Sequence, residues 1–357
     1  MRINSQTELN FFHHLPKIKK NSRIKGLDTI RLFCAIWVAF SHGAYPPLTS
    51  TLDTSVPMFW FFNGVYTSLF CGPAAVIVFF IISGFCIHYP YRNNWEPQNT
   101  LPFLVSRLIR ISGPILVATF IILLMGIDVS VFHFIAGWSI ICEICYYSFY
   151  PYLRKWLKDE KSWLWALLIS FSPTLFSFIE YPINLVNYPG VGPIYVIFLG
   201  LPCWILGVLL CYKIDPVNHK SSRTLLVYSR VGIFVLALAT HILALQEIVG
   251  HPFTLNFFAV FAVFWLRSEI LFYKFSKPNP MMETLGKSCY SIYLMHGIPF
   301  HILLISGLKF ADKFYFFISY WLLLIPMTMT FFFLVERPFH NLARNIKNRP
   351  ISLRFLK

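Results

Sequence analysis

Charge is what this chain has least of. Only 13% of its 357 residues are charged, and only 15 are acidic. A soluble domain carries about a quarter charged residues, so a soluble globular fold is excluded. Short segments of period-two alternation are also lacking. Apolar residues come instead in runs of about 20, which excludes a transmembrane β-barrel. The first 26 residues hold no apolar core, so no cleavable signal peptide is expected. There is no internal repeat and no low-complexity segment. No connection is long enough for a separate catalytic domain, so any chemistry has to happen among helices. Eight cysteines are present, but not as a disulfide framework. Seven lie in or at the ends of apolar runs, and Cys71 sits in a predicted outer loop. Cys142 and Cys145 form a CxxC with no second pair nearby. Buried thiols acting as small hydrophobes is the simpler reading, and no metal site is expected.

What remains is 57% hydrophobic, with a net charge of +15. In a soluble protein that charge would suggest nucleic acid. Here the basic residues fall in loops on alternate sides of the apolar runs, so topology and anionic lipid explain them and no nucleic-acid partner is expected. The pattern predicts an all-α, polytopic membrane protein of ten helices. They run at about 27–42, 73–89, 107–127, 131–153, 163–179, 193–212, 225–246, 253–272, 288–308 and 316–335. Residues 1–26 form a basic tail, 27–340 the membrane domain and 341–357 a second basic tail, with both termini cytoplasmic by the positive-inside rule. Among the outer loops, only the one at 309–313 carries positive charge, from Lys309 and Lys313. The oligomeric state is not legible.

The first helix, LDTIRLFCAIWVAFSH, carries Asp28, Arg31 and His42. Arg31 and His42 are eleven residues apart, which at 100° per residue leaves them within roughly 20° of one direction; Asp28 and His42 fall within roughly 40°. Ionisable groups cost several kcal/mol in hydrocarbon, so this face has to look into protein or water. His42 is either tied to a neighbouring helix or poised as a general base, for which a neutral imidazole is suited. Arg107 and Arg110 open the third helix at the inner face. They are anchors for a helix end or paired forks for phosphate, and Arg92 is placed to join them. Ser83-Gly84 in the second helix reads as a packing site, because no G-x-S-x-G elbow surrounds the serine. Glu143, midway along the fourth run, is hard to explain as packing, which favours a site role over a structural ion pair. Tyr290, Tyr293 and His296 recur every three residues on one face, as a ligand-binding stripe or a tie between helices. Glu336-Arg337-Pro338 closes the last helix, where a local interfacial ion pair is the plain reading.

Taken in order, these pieces resemble the acyltransferase 3 family of integral membrane acyltransferases. The matching residues are Leu27-Asp28, Arg31 and His42; Ser83-Gly84-Phe85; Arg107 and Arg110 before Pro114; Trp138-Ser139 and Glu143 ahead of Tyr147 and Pro151; Tyr290, Tyr293 and His296; and Glu336-Arg337-Pro338. Thr29-Ile30 departs from the Gly-Leu that the family often has there. The appended SGNH hydrolase-like domain of some relatives is not seen. The resemblance implies transfer of an acyl group, usually acetyl, from cytoplasmic acetyl-CoA to a hydroxyl of a glycan or lipid-linked glycan. A lipopolysaccharide O-antigen in a bacterial inner membrane is the preferred acceptor. On that reading His42 is the base, with direct transfer or an acyl-histidine intermediate, and Glu143 is its catalytic partner. Arg31, Arg107 and Arg110 hold the donor. Ser83, Tyr290, Tyr293 and His296 are candidates to position substrate or stabilise the oxyanion. Asp28 and Glu336 belong to the inner end. Asp28 is roughly 21 Å along the helix from His42 and cannot orient it, and Glu143 is expected deeper than His42. A glycan transporter or flippase that needs no acyl-CoA is the alternative.

Overall fold

The structure is a computed structural model that describes residues 24–49, 57–96, 100–128, 137–185, 188–214, 221–307 and 313–348. Helices account for its regular structure, and no strand occurs among the described residues. The terminal stretches 1–23 and 349–357, the start of the fourth run at 131–136, and positions 309–312 of the basic outer loop lie outside them.

The helices are α1 (Leu27–Ala39), α2 (Pro57–Ser68), α3 (Gly72–His88), α4 (Thr100–Leu124), α5 (Trp138–Trp156), α6 (Glu160–Ser170), α7 (Ser172–Glu180), α8 (Tyr195–Ile214), α9 (Arg223–Leu245), α10 (His251–Phe275), α11 (Pro280–Leu285), α12 (Cys289–Met295), α13 (Gly297–Ile305), α14 (Lys313–Phe331) and α15 (Arg337–Asn348). Among the described residues, seven helices are long and apolar enough to cross a membrane, or eight when the bent α11–α12 and α13 pair counts as one. The expectation of ten is corrected accordingly. The runs at 27–42 and 131–153 miss the mark for a physical reason. α1 has 13 residues, including Asp28 and Arg31, before a π turn, and α5 carries Glu143, Arg154 and Lys155. These charged groups lower their hydropathy. Two further helices stand where the sequence suggested loop or tail: α2 between the first two runs, and α15 across the 340/341 boundary.

The core is built around α3, which is apolar all round and buried along most of its length, as a central helix should be. It packs on α8 almost backbone to backbone. A Cβ on Gly84 would overlap the Trp204 carbonyl, and one on Gly207 the Ile81 carbonyl. Only glycine permits that approach, so Gly84 of the small-residue pair in α3 is a packing device. α15 docks along α4. Phe339 lies against Gly113, and Ala343, one turn on, is buried. That leaves Arg337, His340 and Arg344 on another face of α15.

Two helices break at histidines. α1 widens into a π turn over Phe40–Ala44, and His42 (φ −94°, ψ 22°) and Gly43 (φ 95°, ψ 2°) leave helical geometry there. The α12–α13 break, bent by 47°, leaves His296 between the two helices. Pro299 explains it, because it cannot donate to the Met295 carbonyl and its ring crowds that oxygen. The His296 carbonyl is satisfied by the Tyr320 hydroxyl, 2.6 Å away.

Candidate active site

A cavity of about 610 Å³ opens between α1, α3, α4, α5, α12 and α15. It falls within the ~300–1,000 Å³ range of small-molecule sites. Alternate helices run in opposite directions, so depth can be read along each. At one end stand Arg107, Arg110, Lys287, Arg337 and Arg344, mostly exposed, with Arg31 further in. Asp28, Glu143 and Glu336 are the carboxylates of the lining. Six cations against three carboxylates leave an excess positive charge that an anionic ligand would neutralise.

Each inner group is held. Arg31 pairs with Asp28 at 3.3 Å, one helical turn away, and reaches Cys86 Sγ at 3.3 Å. Ser291 donates to Glu336 Oε2 from its backbone N–H (3.0 Å) and its hydroxyl (2.5 Å). Glu336 is thus anchored across helices, which replaces the local pairing with Arg337 that adjacency suggested. At mid-depth the Tyr147 hydroxyl donates to Glu143 (3.2 Å) and lies 2.7 Å from the Ser83 hydroxyl. Tyr147 has one proton to give, so Ser83 is the donor in the second bond. Tyr290 donates to the Ile111 carbonyl at 2.9 Å, tying α12 to α4.

At the deep end, the Tyr293 and Ser139 hydroxyls meet at 2.6 Å, and both line the cavity. The Tyr293 ring is 5.8 Å from His296, and His296 is 5.1 Å from His42. His42 is exposed on the far side of this file, while His296 is buried.

The structure therefore gathers Asp28, Arg31, Ser83, Arg107, Arg110, Glu143, Tyr290, Tyr293 and Glu336 around one cavity. It sets His42 and His296 together just beyond the cavity's deep end. His42 and Asp28 do not share a site: Asp28 lines the cavity, and His42, roughly 21 Å further along the helix, does not. Glu143 is not beside His42; the side chain that is beside it is His296. Arg92 does not join the cationic end. It donates to the Tyr89 carbonyl at 2.6 Å and stacks over the Tyr89 ring.

Sequence reasoning missed Lys287, Arg337, His340 and Arg344 as lining residues, having assigned the basic ones to topology. The signal was there for α15: Arg337, His340 and Arg344 recur at offsets of three and four, the spacing of one helix face. It also missed an ion pair outside the cavity, between an exposed arginine and a buried carboxylate. Arg230 Nε and Nη2 grip Glu269 at 2.6 and 2.9 Å, and Trp265 Nε1 adds a third bond at 2.8 Å.

A family model described as an acyltransferase domain matches residues 24–337. No curated protein and no solved structure matches the chain.

Proposed function

Because the chain belongs to the acyltransferase 3 family, we propose that this membrane acyltransferase moves an acetyl group from cytoplasmic acetyl-CoA to a hydroxyl of a cell-envelope polysaccharide such as a lipopolysaccharide O-antigen. The observation that supports this best is the cavity itself. It links a cluster of cations to a pair of hydroxyls, one ring away from the His296–His42 pair.

In this reading the cationic end faces the cytoplasm of a bacterial inner membrane, with both termini on the same side. Arg107 and Arg110 are half-buried and exposed respectively, and α15 adds Arg337 and Arg344. Guanidinium forks match phosphate oxygens in geometry and charge, so these side chains hold the phosphates of the donor. The thioester arm threads past Arg31, Ser83 and Glu143 toward Ser139 and Tyr293. The acceptor arrives from the opposite side, where His42 is exposed. His42 takes the proton from the acceptor hydroxyl as its oxygen attacks the thioester carbonyl. The C–S bond then breaks, and the proton passes to the departing CoA sulfur. The Tyr293–Ser139 hydroxyl pair is placed to donate to the developing oxyanion.

The test is O-acetylation of surface polysaccharide in cells carrying wild type or His42→Ala, with insertion and folding checked on the same membranes. Loss of acetyl groups from cells with correctly inserted protein is expected. Undiminished acetylation by the inserted variant overturns the proposal.

A further inference from the structure

Three metal-binding side chains from three separate segments meet away from the cavity. Cys71 immediately precedes α3, His241 lies in the last turns of α9, and His251 is the first residue of α10. One ligand atom from each lies within 4.8 Å of the other two. Cys71 Sγ and His251 Nε2 are 4.0 Å apart, and the two imidazole rings are 5.4 Å apart. Cys71 and His251 are buried, and His241 is half-buried. His241 Nδ1 is shut off from solvent without a hydrogen-bond partner.

We propose that Cys71, His241 and His251 bind a zinc-class divalent cation, stapling the ends of α3, α9 and α10. Tetrahedral zinc with bonds of about 2.3 Å to sulfur and 2.0–2.1 Å to nitrogen sets ligand atoms roughly 3.3–3.6 Å apart. The ligand atoms lie within 4.8 Å of one another, at most about 1.5 Å beyond this, a shift that side-chain rotation supplies. A plain S–H···N contact accounts for Cys71 and His251 but leaves the His241 nitrogen unpaired, a costly state for a buried polar atom. A thiolate and two imidazoles is a donor set that suits zinc and disfavours calcium or magnesium. On binding, the Cys71 thiol gives its proton to solvent as the metal–sulfur bond forms, and water completes the fourth position. The site touches the catalytic end indirectly. Gly72, next in the chain, packs on Ser41, the neighbour of His42. The staple thus fixes the wall behind the His42 turn without entering the chemistry.

The experiment uses the full chain purified in detergent, stripped with a mild chelator and reloaded with zinc or cobalt(II). The expected result is about one ion per chain, a sulfur-to-cobalt charge-transfer band, and a Tm that rises on zinc addition. Cys71→Ser should lose the band and the zinc-dependent shift, while the other seven cysteines stay in place. His251→Cys keeps a competent ligand set and should retain the ion with a stronger charge-transfer band, which guards against a Cys71→Ser chain that fails to fold. Cobalt bound without a sulfur band, or zinc held equally by wild type and the Cys71→Ser, His241→Gln, His251→Gln chain, overturns the proposal.

Discussion

His42 lies against His296, with ring centroids 5.1 Å apart and planes inclined by 36°. His296 Nδ1 is 2.7 Å from the Tyr293 carbonyl, an acceptor, so this nitrogen carries the proton. In the neutral ring Nε2 is then the lone pair, and it is buried without a protein partner. Under the proposed mechanism, a fixed lone pair next to an exposed imidazole would serve to orient it. If His42 turns one N–H toward His296, its other nitrogen is the basic one and faces the acceptor.

His296→Phe should therefore lower the transfer rate by about 10–100-fold, the usual cost of losing a group that orients another. The KM for acetyl-CoA should stay within a few-fold of wild type, because His296 is not among the cavity-lining residues. His296→Asn, which keeps a polar group, should recover part of the rate. Steady-state kinetics in proteoliposomes decide it: a raised donor KM with unchanged kcat would move His296 to donor binding.

Arg107→Ala combined with Arg110→Ala should weaken acetyl-CoA binding. A charge-assisted hydrogen bond is worth about 1.5–3 kcal/mol, or roughly 10–100-fold in affinity for each arginine that contacts a phosphate. The loss should shrink for a donor analogue lacking the 3′-phosphate and for wild type at high salt. Calorimetric titration with CoA measures it. Unchanged affinity would return both arginines to membrane anchoring.

Arg344→Ala tests whether α15 belongs to the donor site. Arg344 lines the cavity from a helix that packs on α4 through Phe339 and Ala343. The expected outcome is a donor KM raised about tenfold with kcat retained, the pattern of a lost ground-state contact. A changed Tm with unchanged KM would make α15 a brace only.

How far the chain could be read without coordinates depended on the kind of signal. Arg31 and Glu143 stood out because an ionisable group inside an apolar run needs a reason. The cavity that gathers them was thus visible in outline. Arg337 and Arg344 did not stand out, because basic residues after a last helix are also what topology predicts. The His42–His296 pair depends on two helix breaks. The glycine and proline that make them, Gly43 and Pro299, sit in plain view, yet neither says which breaks will meet. Cys71, His241 and His251 come from segments up to 180 residues apart, and no local spacing betrays them. The count of ten spans failed for the opposite reason: α1 is made polar by the cavity residues Asp28 and Arg31, and α5 by the cavity residue Glu143 together with Arg154 and Lys155 at its end.

Arg230→Met should destabilise the protein while leaving the active site untouched. Glu269 is 2% exposed and relies on the bidentate grip of Arg230. Removing Arg230 leaves the buried carboxylate with Trp265 as its remaining donor, at a cost of about 1–3 kcal/mol, moderated by the solvent exposure of Arg230. The double variant Arg230→Met, Glu269→Leu should recover most of it. Thermal unfolding in detergent reads both. Equal Tm values for wild type and Arg230→Met would show that Trp265 alone satisfies the carboxylate.

Gly43→Ala separates geometry from stability. Gly43 has φ 95°, a left-handed conformation that costs an L-residue about 1–2 kcal/mol. Space is not the obstacle, since an added Cβ would meet only Phe300, at 3.9 Å. Any relief of the backbone cost therefore comes from rotating the peptide, and the residue that moves with it is His42. Tm should fall by only a few degrees, while acyl transfer drops at least tenfold as the His42 ring leaves its place against His296. The two readouts diverge only if the left-handed turn aims the imidazole. Full transfer activity from a chain with a lowered Tm would mean that the turn serves folding alone, and that His42 does not need a fixed orientation to act as the base.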